Sequence, residues 1–152
     1  MNAIALLEAD HKTVEALFTK VESTGENEHP ALFEQIKTEL EAHAYVEETI
    51  FYPAIQEDGD EELRELTSEA KQEHLQMKNF LGELSVVAAD QEKFESLLAT
   101  LISDTRHHVE EEEGQMFPMV RAQFDAATIE EWGGQMEAEK ARFQASTESF
   151  HA

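Results

Sequence analysis

The segment His43-Ala-Tyr-Val-Glu47-Glu48-Thr-Ile-Phe-Tyr-Pro53 aligns without a gap on His108-Val-Glu-Glu-Glu112-Glu113-Gly-Gln-Met-Phe-Pro118. The two share the histidine, both glutamates and the proline. His11 precedes the first by about the spacing at which His74 precedes the second, so one pattern, a histidine followed by His-x-x-x-Glu, occurs twice. On a helix, residues four apart lie one turn above each other. Each segment then presents an imidazole and a carboxylate on a single face.

The sequence around these segments has a helical period throughout, with only 6 Gly and 3 Pro to interrupt it. From about Asn2 to Ser23, Ile4, Leu7, His11, Val14, Phe18 and Val21 alternate in steps of three and four, which places them along one stripe. Pro30 suits the first turn of a second helix, whose stripe is Phe33, Ile36, Leu40, His43, Glu47, Ile50 and Ala54. Pro53 is expected to kink or fray its last turn. The third stripe is Leu63, Leu66, Ala70, His74, Met77, Leu81, Leu84 and Ala88. Asp90 can cap a fourth helix with the stripe Phe94, Leu98, Leu101, Thr105, His108, Glu112, Gln115 and Met119. Thr128 and Glu131 read as a capping box opening a shorter fifth helix, which carries Trp132, Met136 and Phe143 and is interrupted at Gly133 and Gly134. The expected fold is all-α: an antiparallel up-and-down four-helix bundle over residues 1–124, with a short C-terminal fifth helix, 125–152, packed on or beside it.

Composition agrees with that outline. A chain of 152 residues suits one domain, and 41% hydrophobic residues argue for a folded core despite the charge. With 34 acidic against 11 basic residues the formal charge is −23, which repels phosphate backbones and anionic lipid and favours cations. Nucleic acid and membrane are therefore not expected partners. The absence of cysteine excludes disulfides, thiolate nucleophiles, iron–sulfur ligation and Cys-type zinc sites. The opening residues MNAIALLEADHK lack the features of a signal peptide and no run could span a bilayer, so the expected location is the cytoplasm.

Each of the four apolar stripes contains a histidine, and two also contain a glutamate. Burying a carboxylate is costly unless a cation or donors compensate. At ~1.5 Å per residue the four histidines lie ~14–21 Å along their helices, so alternating directions bring them to a similar level. Four imidazoles and two carboxylates are too many for one tetrahedral zinc but suit two octahedral ions bridged by the carboxylates. Two histidines and a carboxylate per metal, with open positions, form the pattern of non-haem Fe(II) that meets oxygen. Manganese or zinc would use the same ligands. His107 competes with its neighbour for the fourth-helix position, and both the period and the repeat choose His108. Glu48, Glu110, Glu111 and Glu113 read as solvated faces, one of them at most accepting from a ligand imidazole. His29 reads as an exposed loop residue, His151 as an exposed tail residue, and Tyr45 and Trp132 as packing residues.

At these residues the chain resembles the haemerythrin-like family, also called the HHE cation-binding domain, over roughly residues 1–124. It is most similar to the di-iron domain of the repair-of-iron-centres proteins. The resemblance implies two non-haem iron ions, oxo- or hydroxo-bridged, with His11, His43, His74 and His108 as ligands and Glu47 and Glu112 as bridges. Two departures bear on function. Oxygen carriers of the family have a second histidine four residues after the third-helix one, where this chain has Lys78, and the repair proteins carry a cysteine-containing module that this chain lacks. The reading is then a protein that binds and reacts with oxygen, nitric oxide or hydrogen peroxide in oxidative or nitrosative stress defence, as a di-iron oxidoreductase. The alternative is a non-enzymatic sensor or carrier of oxygen or iron. Ferritin-like iron oxidation ranks last, because only Glu8-Ala-Asp-His11 matches its Glu-x-x-His motif.

Overall fold

The structure, a computed structural model, describes residues 1–87 and 89–151, without the side chains of 148–151. Ala88, at the end of the third stripe, and the side chain of His151 lie outside the described residues. The elements are α1 (Ala3–Ser23), a 3₁₀ turn (Glu26–Glu28), α2 (His29–Val46), a π turn (Glu47–Phe51), α3 (Tyr52–Asp58), α4 (Glu61–Val86), α5 (Gln91–Glu111), a second π turn (Glu112–Met116), α6 (Phe117–Gln123) and α7 (Ala126–His151). Among the described residues there is no strand, and no helix is long and apolar enough to cross a membrane.

The helix starts follow from short polar side chains that satisfy free backbone donors. Asn2 accepts from the Ala5 amide at 2.8 Å, Asp60 from Leu63 at 2.9 Å, and Asp90, as its position predicts, from Lys93 at 3.2 Å. The fifth helix differs from expectation. Its first turn is held by Asp125, which accepts from the Thr128 amide at 2.8 Å, rather than by a box on Thr128 and Glu131. It is also not short: α7 has 26 residues, as many as α4. Gly133 and Gly134 do not break it. A Cβ on Gly133 would collide with the Met1 carbonyl oxygen, so this glycine serves close approach of α7 to the start of α1 rather than a turn.

The apolar side chains form two clusters, and their order along the chain fixes the topology. One contains Ile4, Leu7, Phe51, Leu63, Phe117 and Met136, and the other Val14, Phe18, Ile36, Leu81, Leu84 and Leu98. The chain runs from the first cluster to the second along α1, back along α2, out again along α4 and back along α5. That is the up-and-down antiparallel bundle, with α7 laid against α1 and α2. At each crossing between the clusters the chain passes one histidine, and on two crossings a glutamate.

The two π turns change which residues point inward. Each holds one more residue per turn than an α-helix and each runs into a proline, Pro53 or Pro118, whose missing N–H cannot serve an α-type ladder. Pro53 therefore does not fray the helix, which continues to Asp58. Beyond each turn the buried stripe steps by one residue. Phe51 and Ile55 are buried where Ile50 and Ala54 were expected, and Met116 and Val120 replace Gln115 and Met119. The step also brings Tyr52 and Phe117, both 0% exposed, into the interior.

His29 is not an exposed loop residue. It opens α2, is buried, and sets Nδ1 2.5 Å from Glu95 Oε1 and Nε2 2.8 Å from the Val21 carbonyl oxygen. Burial alone would lower its pKa, but the Glu95 carboxylate and the Val21 carbonyl raise it above the usual value of 6.5, because only the imidazolium can donate to both. A folded-state pKa above the unfolded one stabilises below the unfolded pKa, and that stability is lost as pH rises through the raised value. The Tm difference between wild type and His29→Gln should therefore shrink from pH 5.5 to pH 10; a constant difference would contradict the pairing. Gly133→Ala should lower stability by about 1–3 kcal/mol in urea unfolding through overpacking against Met1, whereas an unchanged midpoint would show that α7 does not approach there.

Candidate metal centre

Between the two apolar clusters lies a polar layer made of the six residues singled out in the sequence. His11, His43, Glu47, His74, His108 and Glu112 are all buried, with Glu47 0% and Glu112 1% exposed. They fall into two groups, His11 with His43 and Glu112, and Glu47 with His74 and His108, each offering ligand atoms within 4.8 Å of one another. Each glutamate also touches the other group. Glu47 Oε1 is 3.1 Å from both His43 Nε2 and His74 Nε2, while Glu112 lies 3.1 Å from His11 Nε2 and 3.5 Å from His108 Nε2. His107, by contrast, is largely exposed and pairs with Glu111 at 2.6 Å.

A second layer holds the outer nitrogen of every imidazole. The Nδ1 atoms of His11, His43, His74 and His108 face Glu113 at 2.7 Å, Asp10 at 3.0 Å, Glu48 at 2.8 Å and Glu73 at 2.7 Å. A carboxylate at Nδ1 keeps the proton there and turns Nε2 inward. Glu48 and Glu113 are thus not merely solvated, and Asp10 and Glu73 complete a set that follows the internal repeat. An acid directly precedes His11 and His74, and another directly follows Glu47 and Glu112. That regularity is the signal by which the second layer could have been found. Lysines extend the layer outward: Lys140 reaches Asp10 at 2.6 Å and Lys78 reaches Glu48 at 2.7 Å. Lys78, at the position of the absent histidine, thus turns to a carboxylate on the outer side of His74.

Tyr52 was not singled out, because the helical period runs one residue out of register beyond the π turn. Its hydroxyl donates to Glu112 Oε2 at 2.6 Å and lies 3.3 Å from His74 Nε2. Its counterpart in the repeat is Phe117, stacked on His11 with centroids 6.0 Å apart. The layer is two-fold in its ligand atoms but has a hydroxyl on one side only. Tyr45, in contrast, packs on Phe143 and donates to Glu139 at 3.0 Å.

The electrostatics show how the protein holds this much charge. Burial lowers the pKa of His43, yet Glu47, Asp10 and Glu112 overcome it and push the imidazole up to about 10. His74 and His108 are raised likewise, against burial, chiefly by Glu47 and by Glu112 respectively. Glu112, which burial would raise, is held well below the usual carboxylate range by His108, Glu47 and His11. His74, aided by Lys78, draws Glu48 down to about 2. Even so, His43 Nε2, His108 Nε2 and both oxygens of Glu47 have no hydrogen-bond partner. Buried polar atoms are seldom left so. Two nitrogens and a carboxylate that converge at 3.1–3.5 Å without forming aligned hydrogen bonds fit a cation, which would bind through the lone pairs of neutral imidazoles and needs no hydrogen.

Comparison with known proteins agrees with this geometry. The family model described as the haemerythrin HHE cation binding domain matches residues 2–120. The crystal structure of an HHE cation binding domain-containing protein from Mycobacterium kansasii superposes with a TM-score of 0.82 at 26% identity, covering 96% of this chain and 89% of that one. A Nostoc protein named DNA nickase is 27% identical over 148 residues, which are 95% of this chain and 40% of the relative. The chain spans less than half of that protein's length. A buried layer of histidines and glutamates between the apolar clusters of a four-helix bundle, matched by the family model over most of its length, makes this chain a member of the haemerythrin HHE cation-binding domain family.

Proposed function

We propose that the polar layer holds two non-haem iron ions and that the protein reacts with small oxidants or gases, namely oxygen, nitric oxide or hydrogen peroxide, as part of oxidative or nitrosative stress defence. The observation that carries this reading is the set of four partnerless buried atoms on His43, His108 and Glu47. Charge supports the count. Glu47 and Glu112 with Asp10, Glu48, Glu73 and Glu113, set against Lys78 and Lys140, leave four negative charges, which two divalent cations neutralise when the four imidazoles are neutral. Imidazole and carboxylate ligands suit iron.

Iron in this layer would supply a redox-active Lewis acid with coordination positions open to a small ligand. The chain's own residues do the rest. Glu47 and Glu112 span the two groups and fix their separation. The four outer carboxylates hold each imidazole in the tautomer that presents Nε2. The apolar clusters above and below limit water. Tyr52 holds a hydroxyl proton at Glu112 Oε2 beside His74, where it can be donated to a reacting oxygen. Lys78 in place of an imidazole leaves the His74 side one nitrogen poorer, which favours reaction over saturated carriage. The −23 charge weighs against contact with DNA, so the nickase activity named for the longer Nostoc protein is not carried over.

Anaerobic loading with ferrous iron followed by metal analysis tests the assignment. We expect two irons per chain in wild type, and a loss in Glu47→Ala, Glu112→Ala and His108→Ala that exceeds any loss of folding, with His107→Ala unchanged. Retention of two tight irons in either glutamate variant would overturn the bridging roles. Tyr52→Phe should keep both irons yet consume hydrogen peroxide more slowly, by about tenfold or more if the hydroxyl acts as a proton donor. Equal rates would remove Tyr52 from the chemistry.

A further inference from the structure

The internal repeat sets two grooves against the centre, one over His11 and one over His74. The first is lined by Val14, Glu15 and Phe18 of α1 with Arg106 and Val109 of α5. At matching positions of the repeat the second is lined by Met77, Lys78 and Leu81 of α4 with Glu41 and Ala44 of α2. Their chemistry has diverged. Over His11 the Arg106 guanidinium crosses to Glu15 at 2.9 Å and Glu22 at 2.7 Å, and Glu110 and Glu113 add negative charge. That groove, about 340 Å³, is crossed by these ion pairs and is acidic.

Over His74 the corresponding pair, Glu41 and Lys78, does not close. Lys78 turns to Glu48 instead, Tyr45 replaces Glu110, and Phe143 of α7 stacks on Tyr45 with centroids 4.6 Å apart. The result is a cavity of about 440 Å³ with apolar and aromatic walls. Lys37 and Lys78 balance Glu41 and Glu48, and His74 lies at the groove's inner end. A water-sized molecule occupies only about 30 Å³, far less than this space, which falls in the range of sites for organic ligands.

Gly82 leaves the wall of the groove open. It sits inside the 26-residue α4 and lines this groove, its φ is not positive, and an added Cβ would meet nothing within 4 Å. Glycine in a helix interior costs about 1 kcal/mol relative to alanine, and neither backbone nor packing requires it here. The matching position in α1 is Thr19. The groove over His74 is thus open at a position where the other half carries a side chain.

We infer that this groove binds a neutral aromatic alcohol, a phenol or hydroquinone of one or two rings. The ring packs beside Phe143 and Tyr45 between α2 and α4, and the hydroxyl donates to the Glu48 carboxylate, which is 31% exposed at the wall. The role of such a molecule as reductant rests on the redox reading above, since a chain without cysteine has no thiol to supply electrons. A hydroquinone oxidised to the quinone releases two electrons and two protons, which convert one hydrogen peroxide to two waters. The binding itself does not depend on that reading.

Calorimetric titration of the protein as purified with 2-naphthol, with metal content measured in parallel, separates the two. One saturable site per chain is expected. Gly82→Phe, whose Cβ meets nothing within 4 Å and whose ring would occupy the groove, should weaken binding tenfold or more without lowering Tm, while Thr19→Phe at the matching position leaves affinity within twofold. 2-Naphthalenesulfonate should bind at least tenfold more weakly, because it has no hydroxyl to donate to Glu48 and Lys78 is already paired with that carboxylate. No saturable binding, an unchanged affinity in Gly82→Phe, an equal loss in Thr19→Phe, or a sulfonate that binds as well as the alcohol would each overturn the assignment.

Discussion

Glu47 and Glu112 are carboxylates at the middle of a bundle, away from water, and the structure is organised around the need to compensate them. Removing an anion from water costs several kcal/mol even after relaxation. The protein's own response is partial: imidazoles gather on both glutamates and Tyr52 donates to one of them, yet the two oxygens of Glu47 receive no aligned hydrogen bond. What remains to be satisfied is the work of a cation. The apolar clusters on either side flank the layer and separate it from bulk solvent. They also set its level, between the two clusters, where four helices each supply a side chain.

The repeat distributes this task evenly. Each half brings one histidine on a lone helix and one His-x-x-x-Glu on a helix that widens into a π turn at the glutamate itself. Widening at that residue is informative, because π turns concentrate at functional sites. Here it turns the following residues one step inward, so that a ring closes over a histidine on each side: Tyr52 near His74, Phe117 on His11. The outer carboxylates follow the same two-fold. Departures from symmetry, namely a hydroxyl on one side, an arginine latch over one groove and a glycine in the other, are where the halves differ in what they can do.

The fold was legible because it depends on period and on polar exceptions to the period. His11, His43, His74 and His108 stood out as imidazoles on otherwise apolar stripes, and the structure places all four in one layer. Tyr52 was not legible, since a strict helical count assigns inward positions to Ile50 and Ala54, and nothing in local composition announces an extra residue in the turn. The prolines six residues after Glu47 and Glu112 were the available hint. Asp10 and Glu73 were hidden among 34 acids; only their fixed place before each histidine distinguishes them. His29 looked like a loop residue beside Pro30, and its partners Glu95 and Val21 come from distant turns that local sequence cannot show. The length of α7 was misjudged because Gly133 reads as a breaker when only its own chain is considered, whereas the neighbour it accommodates is the backbone of Met1.

The central claim is that two ions occupy this layer, each held by its own group and shared by both glutamates. Anomalous diffraction at the iron edge from crystals of the iron-loaded protein measures it directly. The account predicts two peaks per chain, one enclosed by His11, His43 and Glu112 and the other by Glu47, His74 and His108. A single peak, or peaks beside His107 and Glu111 with none in the buried layer, would contradict it.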